Sequence, residues 1–321
     1  MESNSLSSFF RILRESLLIF LKNKPLMPSI ALLILLLHSF LILSSYFSIM
    51  PLTQDFMMKQ TQLLLASPGS PQAADTAAAT TSYFREFVGL EWFFILALSL
   101  ASLFSSAITI LASAVTYAGA NLSYRDLLST VFKSCKRPII TWFYISLFDL
   151  GYVLLVCSLI FPFSLKFSPF PIFHPTTFVE VLLIPVSAFQ IYLSVFWKMS
   201  LVISVIEEKS GLEAFGKAWQ ILEGFKLQGF LLNLLYGAPV LILYILWFMK
   251  FRVNPGTYNN PLLMGLILLN VGCVSKMLVD MGFTVLYHKC KLRHEGEVEL
   301  HGSLEYTKVV SNETMIEADI P

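Results

Sequence analysis

Charge is what this sequence has least of. Asp, Glu, Lys and Arg make up 13% of its 321 residues, about half of the roughly 25% found in a soluble domain. The net charge is +1, so no basic surplus argues for nucleic acid as a partner. Cysteine is scarce as well. Cys135, Cys157, Cys273 and Cys290 form no CxxC pair and no His/Cys cluster at metal-ligand spacing, which argues against a disulfide framework and a zinc site. Motifs of the HExxH, GxSxG, phosphate-loop and paired-carboxylate kinds are missing too. Such motifs place a metal, a nucleophile or a phosphate by fixed spacing. His38 and His288 stand near the edges of apolar runs and read as interface residues rather than ligands. The chain therefore reads as a non-enzyme, with no catalytic, metal-binding or cofactor-binding residue and no cofactor.

Apolar surface is what it has in excess, with 56% hydrophobic residues and a mean hydropathy of +0.70. Crossing a bilayer core of about 30 Å takes about 20 mostly apolar residues. Six segments are long enough: 28–49, 92–120, 139–163, 181–206, 229–249 and 262–287. The expected fold is all-α, a polytopic membrane bundle of six transmembrane helices within residues 1–294, with amphipathic interfacial helices on the cytosolic side. The first segment is too long for the core of a signal peptide and no A-x-A-like site follows it, so it reads as an anchor. With the N-terminus in the cytosol, the inner segments hold 15 Lys and Arg and the outer ones 5. That bias predicts two cytosolic termini, in a membrane of the endomembrane system or the plasma membrane. Sequons at Asn121 and Asn312 would then stay unglycosylated.

Two stretches are expected to lack fixed structure. SPGSPQAADTAAATTS, 67–82, has the composition of a flexible tether. The acidic tail, 295–321, has too few apolar residues to fold alone and reads as a disordered handle for cytosolic partners. Between spans, 207–226 has helical periodicity. Leu212, Phe215, Ala218, Trp219, Leu222 and Phe225 share one half of the wheel, with Glu213, Lys217, Gln220 and Glu223 opposite. Such a helix lies on the inner leaflet, and Phe215, Trp219 and Leu222 are its candidate membrane-surface residues. Leu6, Phe9, Ile12, Leu13, Leu17 and Phe20 form a similar face before the first span, and 127–138 a shorter one before the third. LIFLKNKP, TVFKSCKRP and ILEGFKLQG close these three stretches alike. They predict three repeats of a surface helix plus a transmembrane hairpin, with chance likeness of basic juxtamembrane segments as the alternative.

Glu207, Gly211, Ala214, Trp219, Leu222 and Gly224 in EEKSGLEAFGKAWQILEG follow a pattern in which an acid ends a span, a Gly follows, and a short helix leads to Leu-x-x-Gly. This stretch resembles an uncharacterised plant family of multi-pass transmembrane proteins, and more distantly the membrane domain attached to bacterial glycerophosphodiester phosphodiesterases. Ala218 stands where the pattern usually has Ser, and FFRILRESLLIFLKNKPL also resembles the plant family's opening. No phosphodiesterase domain is present, so the resemblance implies architecture and no catalytic residue.

Within the spans, Ala97, Ala101, Ser105, Thr109 and Ser113 recur at every fourth position. This ladder suits close helix packing or, alternatively, a polar path for a small solute. Four intramembrane charges are the other anomaly. Counting 1.5 Å per residue from the inner ends puts Asp149, Lys198, Lys276 and Asp280 roughly 10 to 17 Å deep. At such depth each charge is expensive alone, so Lys276 with Asp280 and Lys198 with Asp149 are expected to pair. Asn270, Asn233 and Gln190 are candidates to join them. The function expected is non-enzymatic: organising the membrane, or binding lipids, cytosolic proteins or further copies of the chain. The alternative is a transporter or channel for a small polar solute or ion, using this charged layer.

Overall fold

The computed structural model describes residues 2–22, 26–65, 71–119, 123–164, 175–253 and 261–317. Among them there is no strand. Helices follow in the order α1 (Glu2–Lys22), α2 (Leu26–Leu65), α3 (Pro71–Tyr117), α4 (Tyr124–Ser134), α5 (Lys136–Ser164), α6 (Pro175–Ile206), α7 (Leu212–Ile221), α8 (Lys226–Val253) and α9 (Pro261–Glu317). Six of these, α2, α3, α5, α6, α8 and α9, are long and apolar enough to cross a membrane. The order repeats three times: α1, α4 and α7 each precede two long helices.

Helix bounds differ from the sequence reading where composition and helix physics pull apart. The expected tether at 67–82 is helical from Pro71 onward. Pro71 takes the first helical position, where its missing N–H is no loss, and Ala73, Ala74, Ala77, Ala78 and Ala79 are the strongest helix formers. Its beginning, 67–70, falls outside the described residues. The tail is likewise helical to Glu317 as the end of α9, since extending an existing helix needs no new nucleus; 318–321 falls outside the described residues. The surface helix expected at 127–138 divides, with α4 ending at Ser134 and Pro138 sitting in the first turn of α5.

The contacts define two compact units. The first comprises residues 1–23, 110–235 and 278–321. Its core holds Ile12 of α1, Leu127 of α4, Val195, Met199 and Ile203 of α6, and Phe283 and Tyr287 of α9. In α1 the buried line is Phe9, Ile12, Ser16 and Ile19, while Leu6 and Leu17 are exposed. A Cβ at Gly282 would meet Leu232 at 2.9 Å, so glycine sets how closely α9 and α8 approach here. The second unit comprises 24–109 and 236–277. There Ile30 and Ile34 of α2 and Ala101, Ser105, Ile108 and Thr109 of α3 are buried. Ser105 Oγ and Thr109 Oγ1 donate back to the carbonyls of Ala101 and Ser105 at 2.7 and 2.8 Å. Ser39 donates to Asn270 Oδ1 at 3.1 Å.

Candidate functional site

The corner that joins α6, α7 and α8 is built by the residues of EEKSGLEAFGKAWQILEG. Gly211 turns the chain into α7 at φ +56, a conformation that L side chains resist. Its N–H donates to Thr141 Oγ1 of α5 at 2.9 Å, and a Cβ there would lie 3.0 Å from the Tyr144 ring. The helix α7 then buries Ala214, Ala218, Ile221 and Leu222. Phe215 is half-buried, edge-on to Phe148 at 5.5 Å. Trp219 stacks on Phe196 at 4.8 Å, carries the Lys226 ammonium over its ring at 4.7 Å, and remains 58% exposed. Of the three candidate surface residues, then, Trp219 faces outward, Phe215 lies at the edge, and Leu222, at 0% exposure, points into the protein. Exposed Leu212 completes the outer side.

Two glycines of this corner give opposite expectations. Gly216 lies inside α7 with nothing near its missing side chain, so Gly216→Ala should be neutral or stabilise by up to about 1 kcal/mol. Gly211→Ala combines positive φ with a crowded Cβ and should destabilise by about 1 to 3 kcal/mol. Thermal unfolding of the two variants in one detergent checks the ordering; equal melting temperatures would contradict it.

Glu207, directly after α6, gathers the corner's polar groups. Lys217 donates to both of its carboxylate oxygens at 2.6 and 2.5 Å, and the Tyr287 hydroxyl donates to one at 2.5 Å. Burial works against the ionised carboxylate. The bonds from Lys217 and Tyr287, with the charges of Lys217 and Lys291, outweigh it and hold the carboxyl below its ordinary pKa. Arg137 pairs with Glu208 at 2.9 Å, and Lys289 with Glu15 at 2.8 Å. Beside α7 opens a recess of about 470 Å³, lined by Trp219, Gln220, Phe225, Cys290, Arg293 and His294 among others. Arg293 stacks on Phe225 at 5.6 Å, under the turn that Gly224 makes at φ +84.

Asp149, Lys198, Lys276 and Asp280, charged residues of the long apolar helices, have the following neighbours. Asp149 of α5 is half-buried and accepts from Gln190 Nε2 of α6 at 2.6 Å. Lys198 stands eight residues beyond Gln190 on the same helix, about 12 Å along its axis, which is too far to pair with Asp149. Its ammonium lies 5.7 Å from the centre of the Phe283 ring. Asp280 is 5% exposed, and Thr284 donates to its backbone carbonyl. In the second unit, Lys276 donates to the Ser102 carbonyl at 2.7 Å and to Ser106 Oγ at 2.5 Å, both on α3. No group of metal-ligating side chains occurs among the described residues.

Residues 2–312 match DUF8558, a domain of unknown function. The chain belongs to that family. No curated protein matches it, and no solved structure does. In this DUF8558 chain the acid, the glycines and the small residues of the α7 stretch all have structural work: Glu207 ties α7 to α9, Gly211 and Gly224 make its turns, and Ala214 and Ala218 let it lie close. The sequence reading singled out these residues but did not foresee that Lys217 and Tyr287 converge on Glu207. Tyr287 is 80 residues away, and no local period links it to an acid at the end of another helix.

Proposed function

We propose that this DUF8558 chain is a six-span integral membrane protein with both termini in the cytosol, in the endomembrane system or the plasma membrane. It has no catalysis of its own and binds lipids at its cytosolic face, organising the membrane or docking cytosolic partners and further copies there. The outer side of α7 carries this reading: Leu212 and Trp219 are exposed, and Lys226 lies on the Trp219 ring. An exposed indole beside a lysine suits the boundary between acyl chains and anionic headgroups. Lys217, by contrast, is consumed by Glu207. The 15 to 5 distribution of Lys and Arg supports the orientation.

The test is native mass spectrometry of the full chain from mixed micelles of phosphatidylserine and phosphatidylcholine. The wild type should retain phosphatidylserine preferentially. Each juxtamembrane cation contributes about 1 kcal/mol to such binding, so Lys226→Ala should weaken retention about fivefold, and Trp219→Ala should weaken it as well. Equal retention of both lipids by all three proteins would refute the reading.

One observation favours a second reading, transport of a small polar solute or ion: Lys276 reaches Ser102 and Ser106 on the face of α3 next to its hydroxyl ladder. Solute uptake by the reconstituted chain, lost in Lys276→Met, would support it.

A further inference from the structure

Along α5 lies a groove of about 370 Å³ shared with α6 and lined by Tyr152, Val153, Val156, Val186, Gln190 and Ile191 among others. The most apolar stretch of α5 contains no buried residue, whereas half of that of α3 is buried. Leu147, Leu150, Val153, Leu154 and Leu155 are exposed. Amid this apolar surface stands the Asp149 carboxylate, about 15 Å in from the start of the predicted span at residue 139. Among the described residues it forms no ion pair; its partner is the Gln190 amide. That bond also sets the amide's orientation. A carboxylate only accepts, so Nε2 turns to Asp149, and Oε1 is left buried without a partner. The Tyr152 hydroxyl is committed to the Val186 carbonyl at 2.7 Å. The Asp149 carboxylate, bonded to Gln190, therefore stands next to an apolar groove whose lining includes Gln190 and Ser187.

We infer that this groove docks a transmembrane helix of another protein, which supplies a Lys or Arg to Asp149 and Gln190. The inference rests on the six-span membrane reading. Depth selects the occupant: an amphiphile keeps its polar head at the interface, whereas a partner helix can present a cation at mid-span, where an uncompensated carboxylate is unfavourable. A second copy is disfavoured because the chain's own intramembrane cations are engaged within it, Lys198 over Phe283 and Lys276 on α3.

Labelled full-length protein in bilayers, mixed with a polyleucine transmembrane peptide bearing one central lysine, tests this by energy transfer. Half-maximal transfer should need about tenfold less of this peptide than of the all-leucine peptide, and Asp149→Leu should abolish the difference. To separate this from a folding defect, Asp149→Lys is paired with a peptide bearing a central glutamate, where the preference should reappear with reversed charge. Equal transfer with the lysine and leucine peptides overturns the inference. So does displacement of the peptide by a long-chain amine, or Asp149-dependent transfer between copies of the chain without peptide. Extraction of the protein from bilayers by alkaline carbonate would instead sink the membrane reading itself.

Discussion

Glu207→Ala is expected to lower the melting temperature in detergent more than any other single change at the α6–α7 corner. It removes the carboxylate that accepts from the Lys217 ammonium and from the hydroxyl of Tyr287, a residue 1% exposed. Removing one member of a buried pair typically costs about 3 to 5 kcal/mol. The lower end applies, because the Lys217 side chain retains 26% exposure. Glu207→Ala with Lys217→Met should be milder than the sum of the two changes; strict additivity would show that the pair is not coupled. The pH dependence has a fixed sign. The folded carboxyl lies below its ordinary value of 4.5, so its contribution is complete above that pH and is lost as pH falls through the folded value. Wild type and Glu207→Gln should therefore converge in melting temperature below pH 4.5, and a gap that stays constant would contradict the assignment.

The second large effect is expected at Lys276. Lys276→Met removes two charge-assisted bonds to α3, to the Ser102 carbonyl and to Ser106 Oγ. Hydrogen bonds of charged groups contribute about 1.5 to 3 kcal/mol each, and an apolar replacement recovers part of the loss by avoiding desolvation of the ammonium. A net loss of about 2 kcal/mol follows from these magnitudes. Ser106→Ala should cost less in the Lys276→Met background than alone, which a double-mutant cycle measured by thermal unfolding would reveal. If Lys276→Met instead melts like the wild type and abolishes uptake of a solute, the transport reading gains at the expense of the lipid-binding one.

Sequence by itself determined how many helices are long and apolar enough to span a membrane, their order, and the short helices between them. These follow from length and mean hydropathy, which depend on local composition alone. Glu207, Gly211, Ala214 and Gly224 were singled out through the resemblance of their stretch to a pattern of multi-pass membrane proteins. Composition suggested a flexible tether at 67–82 and a disordered tail at 295–321, whereas 71–82 and 295–317 are helical, alanine content favouring helix at the one and continuity with α9 at the other. Only the tertiary structure decided which apolar residues face inward. Leu222 and Trp219 share one half of the helical wheel, yet one is buried and the other exposed. Hydropathy measures transfer out of water and is nearly blind to whether the new surroundings are lipid or protein. The partners of the charges were decided there too. Counting depth put Asp149 and Lys198 in one layer, but a pair needs contact within about 4 Å, and it is Gln190 that meets Asp149. Such contacts arise from how helices distant in sequence rotate and shift against one another, which no local period encodes.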